Sequence, residues 1–127
     1  MAQSRLASAV GACTLVLAFS LAAAELSQVS LKEITQLLDR IEGSNCSFNR
    51  NGSWYEAADA RKHLQRKLDY MAERKMLGTA EEFIAGAASS SSMSGKAYLI
   101  RCGSQEPVAA ATWLNAQLQR IRTSSSN

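Results

Sequence analysis

Histidine occurs once in this chain of 127 residues, proline once and cysteine three times, and only one apolar run is long. Each scarcity closes a class of function. A single imidazole, His63, with widely spaced thiols cannot supply the four side chains of a structural zinc site, so no metal is expected, and no motif calls for a cofactor. The one long apolar run lies near the amino terminus, and no second segment is long enough to span a bilayer. Basic and acidic side chains nearly balance, 14 against 11. That balance argues against nucleic acid as the main partner. No repeat and no Pro/Gly-rich linker divides the chain.

The apolar run has the anatomy of a secretory signal peptide. Arg5 closes a short positive segment, the run extends from Leu6 to Leu21, and Ala22-Ala23-Ala24 supplies small residues for an A-x-A cleavage site. Cleavage after Ala24 is expected, with residues 1–24 as signal peptide and a periplasmic location for the remainder. Val10-Gly11-Ala12-Cys13 resembles a lipoprotein site, but the most apolar stretch, Leu15 to Phe19, follows that cysteine instead of preceding it. Two cysteines then remain, Cys46 and Cys102. In an oxidising compartment an even pair reads first as a disulfide.

Beyond the signal, one domain is expected over residues 25–122, with 123–127 as a disordered tail. Ser30-Leu31-Lys32-Glu33 fits a capping box, and Ile34, Leu37, Leu38 and Ile41 follow at helical spacing. This helix has room to begin earlier, at Leu26 or Val29. Ser53 to Glu56 reads as a second box, opening a helix to about Met76 that carries Ala57, Ala60, Leu64, Leu68 and Met71 on one stripe, with Gly78 as its stop. Thr79 to Glu82 is a third box before a shorter helix with Phe83, Ile84 and Ala87. Pro107 suits the first turn of a last helix. Between these elements lie two strand signals, one at Cys46 to Arg50 and one at Lys96 to Cys102, and a turn pair, Asn51-Gly52.

An antiparallel pairing of the two strands places Cys46 opposite Cys102, Phe48 opposite Ile100, and Arg50 opposite Tyr98, all on one face because strand side chains alternate. The expected architecture is α+β, about four helices around a small two-stranded antiparallel β-pair tied by Cys46–Cys102.

The stretch "SSSSMSGK", Ser89 to Lys96, has the look of a phosphate loop or a catalytic dyad. As a P-loop it fails, because Ser90 stands where the first glycine belongs and Ala97 where Ser or Thr should hold Mg²⁺. The S-x-x-K spacing of penicillin-binding enzymes fails at Met93. Contact and chain reversal are the expected roles of Ser89, Ser90, Ser91, Ser92, Ser94 and Lys96, with Gly95 as the turn point. On the second helix, Lys67 falls inside the apolar stripe and His63 on its border. Two readings stay open. The lysine stem lies buried with its ammonium at the surface, or Lys67, His63 and Arg50 line a small polar pocket beside the sheet.

The combination "FNRNGSWYEAADARKHLQRKL … TAEEFIAGAASSSSMSGKAYLI" resembles the small exported bacterial proteins typified by YfeK, over roughly Leu31 to Leu118. Arg50-Asn51-Gly52, His63-Leu64 with Lys67, Thr79-Ala80-Glu81 with Phe83-Ile84, and Ser89 to Tyr98 carry the resemblance. It implies a periplasmic domain and no established activity, cofactor or catalytic residue. The leading expectation is a non-catalytic binding or accessory module for a protein or cell-envelope component, with Arg50, His63, Lys67, Ser92, Ser94, Lys96 and Tyr98 as binding residues. The alternative is a small hydrolase of envelope polymers that uses the serine loop with Lys96 or His63.

Overall fold

Asn51 and Gly52 both adopt positive φ, 54° and 86°. Two left-handed residues in succession make the tight turn whose twist suits a two-residue hairpin, the use for which Asn-Gly is favoured. Strand β1 (Ser47–Arg50) therefore folds straight back into β2 (Ser53–Tyr55), pairing Arg50 with Ser53 and Phe48 with Tyr55. The expected capping box at Ser53–Glu56 is overturned by this hairpin, since Ser53 belongs to a strand. Helix α2 (Ala57–Glu73) begins after Glu56, which makes no side-chain cap.

On its other side β1 pairs antiparallel with β3 (Leu99–Arg101), Phe48 opposite Ile100. The same register carries Cys46 to Cys102, whose Cα atoms are 4.3 Å apart and whose sulfurs are bonded. A further strand, β4 (Val108–Ala109), pairs with β3. The sheet has four antiparallel strands in the order β2-β1-β3-β4, which corrects the expected two-stranded pair. Pro107 precedes this edge strand and does not open the last helix, which starts at Ala110.

These elements come from a computed structural model that describes residues 3–4, 8–17 and 26–127. The expected cleavage point after Ala24 and the end of the apolar run lie outside the described residues. Within the described part of that run, Val10, Leu15, Val16 and Leu17 are exposed, and Cys13 is a free, exposed thiol. Among the described residues no helix is long and apolar enough to cross a membrane.

Helix α1 (Gln28–Gly43) starts two residues before Ser30, because Ser27 is the cap and its Oγ accepts from Ser30 N at 3.0 Å. Ser30 instead sits in the first turn and donates to Gly78 O at 2.9 Å, fastening α1 to the chain that leaves α2. Helix α2 stops at Glu73, earlier than expected. Lys75 takes a left-handed φ of 53°, Met76 N bonds Met71 O and Lys75 N bonds Ala72 O. That is a Schellman ending with lysine in the usual glycine position. Helix α3 (Ala80–Phe83) carries the expected capping box, Thr79 with Glu82, and runs on as a π-helical turn over Ile84–Ala88.

Helix α4 (Ala110–Ser125) continues through most of the segment expected to be a disordered tail. Its hydroxyls explain the difference: Thr123, Ser124 and Ser125 each donate to the carbonyl four residues back. Such bonds satisfy serine without breaking the helix.

The helices lie against one face of the sheet. Ile34, Leu37, Leu38 and Ile41 of α1 are fully buried, with Leu77, Phe83, Ile100, Leu114 and Leu118 around them. Full burial of each large side chain stabilises by about 1.5–3 kcal/mol. Trp113 meets Phe48 edge-on, with centroids 6.4 Å apart. Arg122 of α4 joins three helices. Its Nε and Nη2 donate to both carboxylate oxygens of Glu33 at 2.8 and 3.0 Å, and its Nη1 donates to Glu81 at 2.5 Å. The hydrogen bond from Arg122 holds the Glu81 carboxyl below its ordinary value.

Candidate functional site

Tyr98 stands where the π-helical turn, the sheet and α4 converge. Its backbone N donates to Ser89 O and its carbonyl accepts from Ala110 N, each at 2.9 Å. The β1–β3 register places it opposite Arg50, as expected. With both backbone groups fixed, its phenol is directed inward and the residue is buried.

Three basic side chains gather around that phenol. His63 and Lys67 lie one turn apart on α2, a spacing that puts both on one side of the helix. Arg50 Nη1 donates to His63 Nδ1 at 2.6 Å. A nitrogen that accepts from arginine has no proton of its own, so His63 is the neutral Nε2–H tautomer. Its Nε2–H then donates to Tyr98 Oη at 3.2 Å. Lys67 Nζ donates to the same oxygen and to Ser90 O, both at 3.3 Å. Arg50 also lies over the Tyr55 ring, 4.7 Å from its centroid, and Lys67 over that of Tyr98 at 5.1 Å. Of the two readings for Lys67, this is the pocket.

Burial, then the charges of Arg50, Lys67 and Arg66, pull the His63 pKa down to about 4. Burial and Arg50 likewise lower Lys67. Burial raises Tyr98, and Arg50 partly opposes it. At neutral pH the imidazole and phenol are therefore neutral, and Arg50 and Lys67 carry the charge. Neither forms an ion pair with a carboxylate among the described residues.

The serine loop forms one wall. Ser91 N donates to Lys96 O and Gly95 N to Ser91 O, each at 2.9 Å, and Gly95 has a φ of 72°. Gly95 is thus the turn point. Ser91 Oγ, buried, accepts from Met93 N, Ser94 N and Asn51 Nδ2. Ser94 Oγ donates to Asn51 Oδ1 at 2.5 Å and accepts from Lys96 N. The β1–β2 turn and the serine loop are thereby joined. The π-helical turn supplies the offset: Ser89 Oγ donates to Ile84 O at 2.6 Å, and the chain leaves with Ser90 O facing Lys67. Such turns recur at functional positions within helices.

Of the residues expected to bind, Arg50, His63, Lys67 and Tyr98 come together, and Ser92 lines the same cleft. Ser94 is engaged with Asn51. Lys96 is exposed, and only its backbone takes part in the loop bonds. Tyr55 and Asn51 were not anticipated, and Ser91 only as one contact residue of the loop among several. Tyr55 was hidden by the apparent capping box and Asn51 read only as a turn residue, while nothing local distinguishes Ser91 from its neighbours.

Two hollows meet at Arg50, Tyr55, His63 and Tyr98. One, of about 330 Å³, is the polar cleft under the serine loop. The other, of about 250 Å³, reaches between α2 and the sheet to Phe48, Leu64, Ala88 and Leu114. Its mouth carries Asp59, Lys62 and Arg66, all exposed on α2. The arrangement can hold a ligand with one polar and one apolar part. No curated protein and no solved structure matches this chain. A family model matches residues 28–122, from the start of α1 to Arg122, and the chain belongs to that family of unknown function, DUF5329.

Proposed function

We propose that this protein is an exported binding module of the periplasm, resembling the YfeK-type proteins, that engages a protein or cell-envelope component through the cleft around Tyr98. One observation carries the reading. Arg50 and Lys67 converge on a buried phenol with no carboxylate between them, at the junction of two open hollows. A charge drawn from water costs free energy unless it is paired, so two such charges beside a cleft favour a partner from outside. Met93, 98% exposed on the lip of the cleft, adds an apolar contact point. The amino-terminal run with its A-x-A site and the Cys46–Cys102 bond support export.

The hydrolase reading has less behind it. A nucleophilic serine needs a base within hydrogen-bond reach, and Ser94 spends its hydroxyl on Asn51. The test is a photo-crosslinking residue at Met93 in the exported protein, with one at exposed Arg120 as control. Adducts at Met93 that are absent at Arg120 and lost with Lys67→Met are expected. Stoichiometric labelling of Ser92 or Ser94 by a fluorophosphonate would establish the hydrolase instead.

A further inference from the structure

Counting hydrogen-bond donors around Tyr98 narrows the ligand. Arg50 has five N–H donors and gives one nitrogen to His63. Lys67 has three and uses two, on Ser90 O and Tyr98 Oη. Tyr98 Oη accepts from both His63 and Lys67, which leaves its own O–H to donate, and among the described residues no acceptor meets it. Every unspent group on Arg50, Lys67 and Tyr98 is a donor, and two carry positive charge. The missing partner is an acceptor with negative charge. Asp59 does not supply it, because it is exposed at the mouth of the second hollow and shares its helical face with Lys62 and Arg66.

The second hollow describes the rest of the ligand. It is floored by Phe48, Leu64, Ala88 and Leu114, all buried, and opens beside Arg50. At about 30 Å³ per non-hydrogen group, its volume of about 250 Å³ takes about eight such atoms. We infer that the ligand is an amphipathic oxyanion, a carboxylate or phosphate ester whose head rests on Arg50, Lys67 and Tyr98 and whose short chain or ring fills the hollow between α2 and the sheet. This rests on the reading of the Tyr98 cleft as a binding site.

The test is isothermal titration of the oxidised, signal-free protein with octanoate, octyl phosphate, octanol and acetate. Octanoate or octyl phosphate should bind at least roughly tenfold more tightly than octanol or acetate, and the tighter of the two identifies the head as carboxylate or phosphate. Lys67→Met and Arg50→Gln should each weaken the preferred oxyanion by roughly tenfold or more, with melting temperatures showing that both variants fold. Nuclear magnetic resonance should report the bound head as a rise in the His63 titration midpoint above about 4. Equal affinity for octanol and octanoate would overturn the oxyanion and keep the binding site. Acetate binding as tightly as octanoate would overturn the apolar half. An absence of binding by all four at millimolar concentration would overturn the inference, and the Met93 crosslinks decide separately whether the cleft binds anything.

Discussion

Two clusters of charge on this domain are built on opposite plans. Around Arg122, one guanidinium meets two carboxylates from two other helices, Glu33 in bidentate geometry and Glu81 beside it. Around Tyr98, two fixed cations and a neutral imidazole face a phenol, with no carboxylate among them. Charge is balanced within the first cluster and left over in the second. Fold stability alone accounts for the Arg122 cluster, since it fastens α4 to α1 and α3. It does not account for the other, where burial and then neighbouring like charges depress the protonation of His63 and Lys67. The difference separates a closed clasp from a cluster with charge to spare, and the proposed binding role rests on that surplus.

The largest test of that contrast removes what both depend on. The Cys46–Cys102 bond closes 56 residues of sequence at the end of β1 and β3 away from Arg50 and Tyr98. The double change Cys46→Ala with Cys102→Ala should cost about 4 kcal/mol in the chain-entropy account and lower Tm by at least about 10 °C. Chemical denaturation and calorimetry check both. An unchanged Tm would mean that the β1–β3 register is held by packing alone.

A smaller loss is expected from Arg122→Met, about 1–2 kcal/mol at neutral pH, because it strands Glu33, only 14% exposed, without its partner. The sign with pH follows from Glu81. A carboxyl lowered in the folded state contributes stability above its ordinary value of about 4.5 and loses it as pH falls through the folded value. The gap between wild type and variant should be full at neutral pH and shrink in acid, as urea titrations at several pH values would show. A gap independent of pH would assign the loss to packing of the arginine stem.

The smallest effect has the opposite sign. Lys67 is held below its ordinary value by burial and Arg50, so at neutral pH its charge opposes folding. Lys67→Met should leave stability within about 1 kcal/mol of wild type, on the stabilising side. It should also raise the His63 midpoint above about 4, since Lys67 is one of the charges lowering it. A clear loss of stability would place Lys67 with Arg122 as a structural residue and collapse the contrast.

How much of this was legible in the sequence depends on how far apart the deciding residues lie. The β1–β3 register was readable because two cysteines anchor it and the intervening residues alternate. His63 and Lys67 were readable as neighbours because helical spacing is local. The β2 strand was not, since Ser53 to Glu56 satisfies the capping pattern, and only the left-handed pair at Asn51-Gly52, folding Tyr55 back onto Phe48, excludes a helix there. β4 has two residues, too few for any periodicity. Ser91 and Asn51 meet across 40 positions of sequence, and no local signal predicts such a contact.

The short outer strands have a consequence for association between copies. A sheet grows into fibres when an edge presents a long flat row of unpaired backbone groups. Here β2 offers three residues and β4 two, too short a row at either edge to template a partner strand. On the face away from the helices, Arg101 covers the exposed Trp54 ring at 4.2 Å, placing a charge over an apolar surface that another sheet would seek. The domain is thus poorly suited to strand-by-strand templating at either edge.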